Sequence, residues 1–110
     1  MNIREIQTVK IGAVRYNVQH TEIEQSRKPE DADMVSIGNI QYSEGLIQVS
    51  NKIPEHVAVV TIVHECVHGL LRHSGSFCLS EDDVDGLANT LVLFIQENPQ
   101  LIQAIQAGKQ

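Results

Sequence analysis

Apolar positions change their period about halfway along the chain. Short β-prone runs at Val9 to Ile11 and Val14 to His20, separated by Gly12-Ala13, predict a hairpin; Ser36 to Tyr42 and Leu46 to Ser50, joined through Ser43-Glu44-Gly45, predict a second one. Gly45 is the residue of that turn suited to a positive φ. In the last strand Leu46, Gln48 and Ser50 should face one side and Ile47 and Val49 the other, the period-two alternation of a sheet with one buried face. Between the hairpins Glu22 to Asp33 is almost wholly polar and contains Pro29, so it reads as a loop with freedom to move.

Beyond Pro54, a residue suited to a first helical position, the spacing becomes helical: Val59, Val60, Val63, Val67, Leu70 and Leu71 recur until Ser74-Gly75 stops the run. Ser80 predicts the cap of a second helix, with Asp83 three residues on, and Val84, Leu87, Ala88, Leu91 and Ile95 form its stripe up to Asn98-Pro99. The same pair opens a short terminal helix to about residue Ala107. Strands followed by helices predict an α+β fold, a small antiparallel sheet leading into helices, and 110 residues fit one domain spanning 1–110.

Composition narrows the class. Aromatic residues make up only 4% with no Trp, so the core must be aliphatic. A net charge of -6 with no Lys/Arg run opposes phosphate-backbone binding, so nucleic acid is not an expected partner. No stretch reaches the length of a membrane span and the N-terminus lacks an apolar leader, which predicts a soluble, cytoplasmic protein. Cys66 falls inside a predicted helix and Cys78 is the other cysteine, so no disulfide framework is indicated.

The first long helix carries the chemistry. His64 and His68 are four residues apart, about 40° on a helical wheel, close enough for one metal ion to take both imidazoles. Glu65 projects beside that pair rather than onto it, the position of a base that activates water. The apolar arc of the same helix, Val59, Val60, Val63, Cys66, Val67, Leu70 and Leu71, adjoins the histidines, which puts the site where core meets cleft. On the next helix Glu81 falls within the apolar arc and points at the core, so it is the expected third ligand. Asp85, one turn on, is the expected acceptor for a histidine ring N–H.

Alternatives to Glu81 remain open at this stage. His73 would require the helix to end first, Cys78 would supply a thiolate, and acids also gather at helix N-termini for the macrodipole alone. The metzincin pattern is excluded, because Leu71 and Ser74 occupy the places of its glycine and third histidine. Tyr42 and His73 are candidates for the donor that stabilises an oxyanion. The strand before the motif helix is a candidate edge for peptide addition, and His20 and His56 read as ordinary surface residues.

The run from Ile62 to Leu71, the later Glu81-Asp82-Asp83-Val84-Asp85-Gly86-Leu87-Ala88-Asn89 and the Asn98-Pro99 ending resemble small phage- and prophage-encoded zinc peptidases of the ImmA/IrrE-like type. The resemblance implies a minimal zincin-like fold, a gluzincin-type third ligand that carries onto Glu81, a Glu81/Asp85 pair like the gluzincin Glu-x-x-x-Asp, zinc as cofactor and a peptide or protein as substrate. It also leaves a second expectation, a catalytically silent, zinc-stabilised binding module of phage origin.

Overall fold

Each β-prone run buries alternate side chains only by pairing with another, and the strand registers show how that is done. The computed structural model describes residues 2–23, 36–75 and 79–108. Strands β1 (Thr8–Ile11), β2 (Val14–Thr21), β3 (Gly38–Gln41) and β4 (Leu46–Ser50) form one sheet in the order β1-β2-β4-β3. Both expected hairpins are present as antiparallel pairs, and Gly45 has φ 61° at the β3–β4 turn. The fold is α+β, with helices α1 (Glu55–Ser74), α2 (Glu81–Glu97) and α3 (Pro99–Ala107) following the sheet. No described helix is long and apolar enough to cross a membrane.

The sheet is mixed rather than antiparallel throughout. The hairpins join through β2 and β4, which run parallel with Val18 opposite Ile47 and His20 opposite Val49. Alternation tells which side chains share a face but not which way a distant partner runs, and the long connection after β2 permits a parallel crossover. Most of that connection, including the loop expected from Glu22 to Asp33 and its freedom to move, lies outside the described residues. One consequence bears on function. The strand before the motif helix, β4, is interior and has no free edge, whereas β3 is an edge strand among the described residues.

Ile47 and Val49 are completely buried and, with Ile11, Tyr16 and Val18, line the inner face against Ala58 and Ile62 of α1. The faces of α1 differ from the expected arc. Ala58, Thr61, Ile62, Glu65 and Gly69 are its buried residues on the sheet side, while Val67 is buried on the opposite side and Leu70 is 52% exposed. The sheet side is thus built from small and polar residues that periodicity of large apolar groups passes over. Their size has a cause: a Cβ on Gly69 would stand 2.7 Å from Cδ1 of Ile11, so helix and sheet approach too closely for bulk.

Helix ends follow their sequence signals. Pro54 occupies the N-cap of α1 rather than its first turn, and the Gly75 N–H donates to the carbonyls of Leu71 and Arg72 at the other end. The Ser80 hydroxyl accepts from the Asp83 N–H at 3.1 Å, the expected cap of α2. Of the expected α2 stripe only Val84 and Ala88 are buried; Leu87, Phe94 and Ile95 are exposed, since α2 rests on one flank of α1 and nothing described covers the rest of its arc.

Gly38 marks the tightest approach of β3 to α1. A Cβ there would lie 2.5 Å from Cγ2 of Thr61 and 3.3 Å from Oε2 of Glu65. Gly38→Ala should therefore cost about 1 to 3 kcal/mol in urea unfolding. Thr61→Ser removes the obstructing methyl and keeps the hydroxyl that donates to the Val57 carbonyl, so the double variant should show a favourable coupling of about 1 kcal/mol.

Candidate metal centre

One helical turn stacks His64 and His68 on the flank of α1 between its sheet side and its α2 side, with ring centroids 4.9 Å apart. Glu81 is the first residue of α2, placed there by the Ser80 cap. Its Oε2 lies 3.1 Å from Nε2 of His64 and its Oε1 2.7 Å from Nε2 of His68. The two Nε2 atoms are 3.2 Å apart, and one ligand atom from each of the three residues falls within 4.8 Å of the others. Glu81 does not point into the core as its place on the apolar arc suggested. Its side chain is 75% exposed and meets the histidines from the solvent side.

Two donors about 2.0 to 2.1 Å from one tetrahedral ion stand roughly 3.3 Å from each other, so the His64–His68 and His64–Glu81 separations of 3.2 and 3.1 Å fit, whereas Glu81 meets His68 through its other oxygen and would turn to present one oxygen to both imidazoles. Two imidazole nitrogens with one carboxylate oxygen suit zinc and leave a fourth position for water or substrate. Asp85 lies where the sequence put it. Its Oδ1 is 3.3 Å from Nδ1 of His64, so with an ion on Nε2 the Nδ1–H would donate to that carboxylate.

Glu65 is only 7% exposed and faces the sheet at Gly38. Burial pushes its carboxyl up from 4.5 to about 7; His64 pulls the other way, and the negative charge of Glu81 adds a smaller upward push. The next residue, Cys66, packs against the core, and burial, with a contribution from Glu65, raises its thiol to about 11.

Two clefts meet at Gly38, Glu65 and Glu81. The one on the His64 side has a volume of about 420 Å³, a floor of Val57, Val60 and Thr61, and a rim that includes His56, Asp85 and Asn89. The one on the His68 side, about 280 Å³, is lined by Asn39, Ile40 and Tyr42. The Arg72 guanidinium lies 4.2 Å from the centroid of the Tyr42 ring.

The remaining candidates separate cleanly. His73 is not at the site: its Nε2 is 2.9 Å from the hydroxyl of Tyr16, on the sheet side of α1. The sequence also missed His56 as a lining residue, although eight residues before His64 is about 80° on the wheel, a signal that periodicity contains. His20 is partly buried between Arg4 and the Ile6 carbonyl rather than an ordinary surface residue. Cys78 lies outside the described residues. No family model, curated protein or solved structure matches the chain.

Two measurements follow from the titrating groups. In a Cys78→Ser background at pH 8, folded protein should react with an aromatic disulfide reagent at least roughly a hundredfold more slowly than unfolded protein, because a thiol raised to about 11 is scarcely ionised. In metal-free protein, folded Glu65 keeps its proton up to about 7 while the unfolded chain releases it near 4.5. The folded state binds more protons in that window, so the contribution of Glu65 to stability falls as pH rises through it. Thermal melting in chelator should fall more from pH 5 to pH 8 for the wild type than for Glu65→Gln.

Proposed function

We propose that the chain is a zinc-dependent metallopeptidase of the ImmA/IrrE-like zincin type its sequence resembles, acting in the cytoplasm on a peptide or protein. The convergence of His64, His68 and Glu81 beside a buried Glu65 carries this reading. Zinc held by those three residues supplies a Lewis acid that polarises a peptide carbonyl and acidifies water. Glu65, buried beside those residues, suits taking a proton from water and returning it to the leaving amine. Asp85 keeps His64 in the tautomer with a free Nε2.

An extended substrate has a natural position along β3. Its edge borders both clefts and adjoins Glu65, so backbone pairing would bring a peptide bond to the site. Of the two oxyanion-donor candidates Tyr42 lines the His68-side cleft, whereas His73 lies against Tyr16 away from the site. A catalytically silent zinc module is the competing reading; the buried carboxyl of Glu65 weighs against it, because a structural site has no need of a base.

Elemental analysis after zinc loading, followed by a peptide-cleavage assay, tests the proposal. Wild type should hold about one zinc per chain, His64→Ala should lose it, and Asp85→Ala should bind it about tenfold to a hundredfold more weakly. Glu81→Ala should weaken it further, and Glu65→Gln should keep zinc and lose cleavage. Zinc without cleavage in the wild type would select the silent module, and no zinc at all would remove both readings.

A further inference from the structure

The outer face of the sheet carries an amide network that the proposed reaction does not use. Gln48 donates to Oε1 of Gln19 at 2.7 Å and its own Oε1 accepts from Asn39 at 3.1 Å and from Gln41 at 3.2 Å. Gln41 also donates to Oδ1 of Asn39 at 3.1 Å. The network therefore crosses β2, β4 and β3 and stops at the β3 edge. There Asn39 has one amide hydrogen, and Gln41 its amide oxygen, without a partner among the described residues.

Strand register decides what an added strand would meet. The Ser50 N–H donates to the Ile37 carbonyl at 2.8 Å, so Ile37, Asn39 and Gln41 turn their backbone groups toward β4. Gly38 and Ile40 turn theirs toward the edge that no described strand pairs with, where the Ser36 hydroxyl donates to the Gly38 carbonyl at 3.4 Å. A residue paired with Gly38 shares its face and sends its side chain over α1, to the cleft floored by Val57 and Val60. The neighbouring residue, opposite Asn39, sends its side chain to the outer face beside the amide network.

We infer that the segment taken up along β3 places a large apolar side chain in the His64-side cleft and an Asn or Gln in the adjacent position, beside Asn39 and Gln41. This rests on the peptidase reading and names its substrate class. An amide matches both free groups, accepting from Asn39 and donating to Gln41, and spans them with separate atoms where a Ser or Thr hydroxyl has only one. A carboxylate would face the Gln41 oxygen, a lysine would face the Asn39 hydrogen, and an aliphatic side chain would leave both unpaired under cover. A cleft of about 420 Å³ with a valine floor takes a Leu- to Phe-sized group.

The test uses zinc-loaded Glu65→Gln protein and a randomised library of terminally blocked decapeptides, so that binding is read without turnover. Mass spectrometry of the retained pool should show a large apolar residue adjacent to Asn or Gln. For one retained peptide labelled for anisotropy, changing its amide residue to Val or Glu should weaken binding about fivefold. Asn39→Val should remove most of that discrimination with zinc content unchanged, and Gln41→Val serves as the second variant should the first fail to fold. No retained peptide, no amide preference, or a preference that survives both variants would overturn the inference. Cleavage of the same library by the wild-type protein judges the peptidase reading separately.

Discussion

Everything at the site depends on how closely α1 lies on the sheet. Ala58, Thr61 and Gly69 keep the sheet side of the helix thin, and Gly38 keeps β3 thin where it passes Thr61. That approach places Glu65 in contact with the sheet, where water is scarce, while the next positions round the helix leave His64 and His68 at the flank. A bulkier helix would hold the sheet away and return Glu65 to water, where its carboxyl would lose the burial that lifts it toward neutrality. Packing and proton chemistry are here one constraint.

Much of this was legible in the sequence, and the parts that were not share a physical reason. Both hairpins, the Ser80 cap, the three helices and the residues His64, Glu65, His68, Glu81 and Asp85 follow from local spacing, and the structure brings the last five together. The parallel pairing of β2 with β4 was hidden, because strand direction depends on a distant partner. The sheet side of α1 was hidden too, since Thr61, Glu65 and Gly69 carry no apolar signal, and their burial comes from a sheet that the helix pattern does not contain. His73 illustrates the converse. Its type suggested a ligand, and its partner Tyr16 comes from 57 residues away.

Glu81 meets the histidines by a route that its place on the helical wheel does not describe. The wheel placed it among apolar residues and so toward the core, yet its side chain is 75% exposed. What directs it to the histidines is the packing of α2 against the flank of α1, with Glu81 as the first residue of α2. An exposed carboxylate between two imidazoles has little to gain from screened charge pairing alone. On the proposed reading its worth would lie in completing a donor set, and Asp85 would have the matching role of fixing which imidazole nitrogen is available.

The same geometry ties the site to the stability of the second half of the chain. α2 contributes only Val84 and Ala88 as buried side chains, a small apolar contact for a helix of 17 residues. Leu91 and Val92 are half-buried, and Glu81 and Asp85 add polar contacts with the two histidines. An ion shared by His64, His68 and Glu81 would therefore cross-link two helices that already pack together. Its binding free energy would then appear as docking of α2 onto α1, since no other described element offers the third donor. Loss of the ion would loosen α2 before it disturbed the sheet, whose core of Ile47, Val49, Tyr16 and Ala58 has no part in the site.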